Sequence, residues 1–355
     1  MTDLLSLPPG AARAALADWL AARGEPAYRV TQIVARLWQR PVRCWDDATE
    51  LPAALRRVLA EAFPLRRLTL AARQVSRDGT EKFLWDLGSG EAIESVFIPE
   101  GARRTVCISS QEGCALGCVF CATGRMGLRR NLGAGEIAGQ VRELALLDPP
   151  LRPTNVVFMG MGEPLLNWEA VDAALTILNH RDGCRIGARH ITVSTVGILP
   201  NLAKLARRPE QFRLALSLHA ATPERRRELM PIEKKYTLPD VLRALQQFRR
   251  RVTLEYVLIG GRNDTLEDAD RLAQLARPLG ALVNLLPLHP GGAPDLVPSP
   301  RARMLAFERR LKAHGVAAVL RRSRGLDISA ACGQLRVELE ARRDKVRAQQ
   351  HAHVE

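Results

Sequence analysis

From Thr105 onward, short β-branched apolar runs alternate with helical patterns. VCISS, NVVFMG, HITVSTVG, RLALSLHA, VTLEYVLIG and LVNLLPLH are six strand-like runs. Between them lie GEIAGQVRELALL, WEAVDAALTILNH, LPNLAKLARR, TLPDVLRALQQFRRR and TLEDADRLAQLARPL, and SPRARMLAFERRLKAHG follows the sixth. Apolar residues at three- and four-residue spacing read as amphipathic helices. Parallel neighbours need a crossover of about a dozen residues or more, usually a helix, so the alternation predicts an α/β fold with a parallel sheet. Six units fall short of the eight of a closed (βα)8 barrel. A partial (βα)6 barrel over 105–335 is therefore expected, with functional residues where strands end and loops begin.

The flanks read differently. Residues 1–65 form a small helical module, with helices predicted at Ala11–Arg23, Val30–Arg40 and Pro52–Phe63. Residues 66–104 read as a strand meander turning at Asp78-Gly79 and Gly88–Gly90. Residues 336–355 are a charged tail. No apolar stretch approaches the ~20 residues of a membrane span. Asp3 and Pro8-Pro9-Gly10 do not suit a secretory signal. The expectation is a cytoplasmic protein with no membrane association. Thiols stay reduced there, which favours ligand or reactant roles for the seven cysteines over structural bridges.

Three of these cysteines, Cys114, Cys118 and Cys121, lie together in QEGCALGCVFCATG just after the first strand run. Three thiolates at spacings of four and three can converge on one inorganic centre and leave one position open. Structural zinc takes four protein ligands, and the nearest histidines, His180 and His190, belong to later units. A [4Fe–4S] cluster on three cysteines with one free iron suits the ligand count better. Cys44 and Cys184 lie outside every motif and are expected to be packing residues.

Charge narrows the partner. The 355 residues carry 52 Lys and Arg against 38 Asp and Glu, a formal +14, and 46 of the basic residues are arginine. The arginine fork suits phosphate, so a nucleic-acid partner is favoured. GC-rich codon usage would also raise arginine and alanine together. The runs Arg249-Arg250-Arg251 and Arg321-Arg322-Ser323-Arg324 are the candidate phosphate contacts. Aromatics, at 5%, are few for a base-stacking platform.

The cysteine spacing at the end of a first barrel strand resembles the radical SAM superfamily. VCISSQEGCALGCVFCATGRMGLRRNL, FMGMGEPLLN, HITVSTVGILP, LALSLHAATPERRRELMPI and RGLDISAACGQL are similar to the RlmN/Cfr family of RNA adenine methyltransferases, specifically its RlmN branch. The similarity runs from about Glu94 to Leu335.

That resemblance implies methylation of adenine at C2, in 23S rRNA and also in the tRNA adenosine 3′ of the anticodon. It implies a [4Fe–4S] cluster on Cys114, Cys118 and Cys121, and S-adenosylmethionine on its open iron. Cys332 matches the methyl-carrying cysteine, Cys107 its disulfide-forming partner, and Glu94 the proton acceptor. S-adenosylmethionine contacts are implied for Gly162, Glu163, Ser194, Ser217, Leu218, His219 and His289. The family usually has asparagine where this chain has His289. A reductant such as flavodoxin and a monomeric state are also expected. Two alternatives are C8 methylation, as in the Cfr branch, and a non-catalytic RNA-binding protein stabilised by zinc.

Overall fold

The computed structural model describes residues 2–88, 92–248, 250–289, 293, 295–331 and 334. Cys332, Arg249 and the expected tail from 336 lie outside the described residues. The N-terminal segment forms α1 (Pro9–Ala21), α2 (Tyr28–Trp38) and α3 (Ala53–Ala62). Val30, Ile33, Val34 and Leu37, spaced by three or four residues, form the buried stripe of α2. The fully buried Arg142 holds the module to the rest of the chain. Its guanidinium donates to the Leu37 and Val42 carbonyls and pairs with Glu143 at 2.8 Å.

The meander forms β1 (Thr69–Val75), β2 (Glu81–Asp86) and β3 (Ala92–Glu100), which lead into β4 (Arg103–Cys107). The division expected at residue 104 runs through β4. After it come β5 (Gln111–Cys114), α4 (Ala122–Arg125), β6 (Gly127–Asn131) and α5 (Ala134–Leu144). The remaining units are β7 (Asn155–Phe158), α6 (Trp168–Asn179), β8 (Ile191–Thr195), α7 (Leu199–Arg207) and β9 (Arg213–Ser217). Then follow α8 (Pro223–Leu229), α9 (Leu238–Leu245), β10 (Val252–Leu258), α10 (Leu266–Ala276), β11 (Leu282–Pro287), α11 (Arg301–Ala313) and β12 (Ala317–Leu320). Thr222, Thr237 and Thr265 cap the N-termini of α8, α9 and α10 through their side-chain oxygens.

Ten described strands make one mixed sheet in the order β1-β2-β3-β4-β7-β8-β9-β10-β11-β12. The pairs from β1 to β4 are antiparallel, and those from β4 to β12 parallel. The expected parallel α/β sheet is present, with two additions. β12 extends it past the sixth predicted strand, and the meander belongs to the same sheet instead of standing beside it. The central strands are apolar on both faces, with Val193, Leu214, Ala215, Leu216 and Leu254 fully buried, as a helix-covered parallel sheet requires.

This sheet curls. Gly325 N–H donates to Asp78 Oδ2 at 3.0 Å, and Ser76 Oγ donates to Asp327 Oδ1 at 2.5 Å. Gly325 lies only five residues past β12, a reach of at most about 17 Å, whereas a flat sheet would hold β2 roughly 38 Å from β12. The segment after β12 thus fastens the last strand to the β1–β2 turn. No described helix is long and apolar enough to cross a membrane.

Candidate active site

The three clustered cysteines do not all sit on a free loop. Cys114 ends β5, which pairs antiparallel with β6; Cys118 follows in the connection, and Cys121 immediately precedes α4. The strand escaped prediction because Gln111–Cys114 carries no apolar alternation. Neighbouring units hold the connection in place. Val119 N–H donates to the Leu229 carbonyl at 3.1 Å, and the Phe120 ring stands edge-on to His219 at 4.6 Å. Cys114 and Cys118 are buried and Cys121 is half-buried. Burial pushes the Cys114 thiol up to about 12, with the charges of Cys121 and Glu163 adding to it. Cys118 is raised further, again by burial first and then by Cys121, Cys114 and Glu163.

Thiols that raise one another's pKa share a local field, and a bound cationic centre would displace their protons. Among the described residues no three His, Cys, Asp or Glu side chains are arranged to hold a single metal ion. A mononuclear zinc site needs sulfur about 2.3 Å from one ion. A cuboidal cluster places each cysteine on a different iron and accepts a wider triad. Two buried thiols and the half-buried Cys121 supply the three sulfur donors that group takes.

The turn after β7 packs directly on this region. Ser110 N–H donates to the Met161 carbonyl at 2.9 Å, and Glu163 N–H to Gln111 Oε1 at 2.8 Å. Gly162 has φ +95°, and a Cβ there would lie 2.5–2.8 Å from the Cβ, Cγ and backbone N of Gln111. Only glycine permits that approach. Glu163 is buried, with Oε1 accepting from Leu165 N–H at 3.0 Å and Oε2 from Val196 N–H at 2.9 Å. Burial pushes its carboxyl up to about 7 against the hydrogen bonds of Thr195, Val196 and Leu165. Oε1 therefore closes the turn after β7 on itself, and Oε2 braces it against the end of β8.

Across the next strands a polar row interrupts the apolar sheet. Ser194 Oγ of β8 is 3.4 Å from Ser217 Oγ of β9. Ser217 is in register with Glu255 of β10, which in turn pairs with Asn284 of β11. Asn284 Nδ2 donates to Glu255 Oε1 at 2.9 Å. Burial raises Glu255 to about 7, opposed by the Asn284 hydrogen bond and the charge of Arg321. Sequence reading passed over Glu255, although a lone carboxylate within VTLEYVLIG was the available signal.

Leu218 and His219 follow β9, both buried, and their backbone N–H groups donate to the Glu255 carbonyl. His219 has φ +56° and accepts the Val257 N–H at Nδ1, 3.1 Å. That bond assigns its proton to Nε2. Burial, assisted by Arg226, lowers it to about 3, so it is neutral near pH 7. His289, just past β11, is lowered by burial and lies 2.6 Å from Ser323 Oγ through Nε2.

At the other side, antiparallel partners share a face. Lys82 on β2 opposes Val96 on β3, and Val96 opposes Cys107 on β4; Glu94 precedes Val96 by two residues. Lys82, Glu94 and Cys107 therefore occupy one face and are all buried. Cys332 lies outside the described residues, but the chain leading to it is held here: Lys82 Nζ donates to the Ser329 carbonyl at 3.4 Å.

Several expectations need correction. Arg250 does not face outward as a phosphate ligand, because its guanidinium donates to the Phe212 and Arg208 carbonyls. Arg324 pairs with Glu100 at 3.7 Å, while Arg321 and Arg322 are exposed. Cys44 is exposed instead of packed, because it lies on the short turn where Asp47 accepts its N–H. Cys184, by contrast, packs against the core as expected, and burial raises its thiol to about 12.

Comparison with known proteins gives this geometry a family. Residues 108–276 match the family model of the radical SAM superfamily. Two curated relatives carry the name dual-specificity RNA methyltransferase RlmN. The one from Gemmatimonas aurantiaca is 58% identical over 354 residues, covering 100% of this chain and 98% of the relative. The one from a species of Anaeromyxobacter is 46% identical over 348 residues, covering 95% and 91%. The crystal structure of a radical SAM methyltransferase from Sphaerobacter thermophilus superposes with a TM-score of 0.88 at 43% identity, covering 95% of this chain and 99% of that one. The chain is a radical SAM enzyme and belongs to the RlmN family of dual-specificity RNA methyltransferases.

Proposed function

We propose that this enzyme methylates C2 of adenosine in 23S rRNA, in the peptidyl-transferase region, and in tRNA at the adenosine 3′ of the anticodon. The observation that carries the reading is the shared face of Glu94 and Cys107, with the chain entering Cys332 anchored beside it. C2 of adenine lies between two ring nitrogens and is electron-poor, so it does not attack a sulfonium methyl as a nucleophile would. A [4Fe–4S] cluster held by Cys114, Cys118 and Cys121, with S-adenosylmethionine bound, would supply the electron and carbon radical for another route.

The chain's own residues do the rest. The backbone at Gly162, the brace at Glu163, and Ser194, Ser217, Leu218, His219 and His289 bind and orient S-adenosylmethionine at the strand ends. Neutral His219 offers an Nε2 donor without a competing positive charge. Cys332 carries the methyl group and forms a thioether to the base. Glu94 accepts a proton from the base as aromaticity returns. The Cys107 thiolate then attacks the Cys332 sulfur: the sulfur–carbon bond breaks, the released carbon takes up a proton to become the methyl group, and cellular thiols reduce the resulting Cys107–Cys332 disulfide. Exposed arginines such as Arg321 and Arg322 meet RNA phosphate. A cytoplasmic monomer fed by a reductant such as flavodoxin completes the reading.

The test is anaerobic reconstitution, incubation with 23S rRNA, tRNA, S-adenosylmethionine and reductant, and nucleoside mass spectrometry. The expected product is 2-methyladenosine in both RNAs; 8-methyladenosine alone, or none, overturns the assignment. Cys107→Ala should accumulate a nuclease-sensitive protein–RNA adduct, and free product at wild-type yield would remove Cys107 from the release step.

A further inference from the structure

Lys82 has no part in the chemistry described so far, yet its position is unusual. It is 3% exposed, and a buried ammonium is costly unless paired and hydrogen-bonded. Its Nζ lies 3.8 Å from Oε1 of the fully buried Glu94 and donates to the Ser329 carbonyl at 3.4 Å. Ser329 has φ +49°, and the Ala330 N–H that follows donates to the Gly325 carbonyl at 3.0 Å. One side chain thus touches both the carboxylate and the turn three residues ahead of Cys332.

We infer that Lys82 is a positioning residue that keeps Glu94 ionised as a proton acceptor and fixes the Cys332 turn against it through the Ser329 carbonyl. The inference rests on the roles proposed for Glu94 and Cys332. An ammonium has three donors and no acceptor, so it serves carboxylate and carbonyl together without competing for the substrate proton. A cation within 4–6 Å favours the charged carboxylate by about 1–3 pH units. Other described ionisable groups lie on the elements around β3. Cys107 on β4, opposite Val96, lies on the same face as Glu94. Glu112 on β5 pairs with Arg129 at 3.4 Å. Asp86, at the far end of β2, accepts the Gly88 N–H, and Arg103 at the start of β4 is exposed. The Asp327 carboxylate is turned to Ser76 and the Arg77 N–H.

The experiment compares reconstituted wild type, Lys82→Met, Lys82→Arg and Glu94→Gln across pH. It reads the cluster chromophore, S-methylation of Cys332 by peptide mass, and methylated adenosine. Lys82→Met should keep the chromophore and S-methylated Cys332, while the acidic limb of adenosine methylation moves up by about 1–3 pH units. Lys82→Arg, which retains the cation, should leave that limb near its wild-type position. An unmoved limb in Lys82→Met, or loss of the chromophore there, overturns the inference, because a positioning role spares the cluster. Equal displacement in Lys82→Met and Lys82→Arg also overturns it. If Glu94→Gln is inactive while the Lys82→Met limb stays put, Lys82's role fails and the proton-acceptor reading stands. A fully active Glu94→Gln removes that reading itself.

Discussion

Gly162 shows how much a single position can decide. Its backbone lies in the left-handed region, and the space a Cβ needs is already taken by Gln111. Gly162→Ala should lower stability by about 1–3 kcal/mol, the range for one strained backbone site. Urea unfolding should show a reduced midpoint with an unchanged slope; an unchanged midpoint would mean that the turn can relax. This glycine was legible because GMGEP stands directly after a strand run. Lys82 was not legible. Phe83, Leu84 and Trp85 are all buried, so the period-two pattern that tells one face of a strand from the other is lost. Glu255 was hidden similarly, since a strand apolar on both faces does not announce which side its one carboxylate takes.

Elements bounded by strong local signals were read closely, whereas those defined by distant partners were not. α1, α2 and α3 match their predicted spans within about two residues, which is the usual scatter of helix ends. β12 was missed because AAVL is only four residues long and follows the glycine stop of α11. PERRREL gave no helical signal, having too few apolar residues, yet it forms α8. Arg226 there is fully buried, pairs with Glu233, and donates to the Val196 carbonyl at 2.7 Å.

The fastening between the β1–β2 turn and residues 325–329 joins groups 247 to 251 positions apart, beyond any local pattern. Asp78 gives it a pH signature. Desolvation raises its carboxyl, but hydrogen bonds from Gly325, Thr80 and Ser76 outweigh that and hold it at about 2, below the ordinary 3.8. A depressed carboxyl stabilises the fold above its unfolded pKa and loses that contribution as pH falls toward 2. Asp78→Asn should therefore cost about 0.5–1 kcal/mol at pH 6, after allowance for solvent screening, and almost nothing near pH 2. Urea midpoints at the two pH values check this; an equal loss at both would assign the effect to packing instead of charge.

At the scale of the whole molecule, one curled ten-stranded sheet, with the two-stranded β5–β6 pair beside it, organises the described candidate residues. Its C-terminal strand ends carry the cysteine connection, the glycine turn and the serine–histidine row, while the antiparallel meander adds Lys82 and Glu94. An open depression of about 470 Å³, lined by Arg189, His190, Glu210 and Gln211, lies at the opposite ends of β8 and β9, away from this chemistry. The α/β class and its order of units were readable because each crossover helix carries its own periodicity. The union of meander and parallel sheet was not, since it depends on β3 choosing β4 over solvent.

The proposed route takes the methyl group to adenine by way of a sulfur-bound carbon radical on Cys332. Supplying S-adenosylmethionine with a fully deuterated methyl group tests it most directly. Removal of one hydrogen from the S-methyl group predicts 2-methyladenosine retaining two deuteriums. A product that keeps all three deuteriums would show direct transfer and contradict the account.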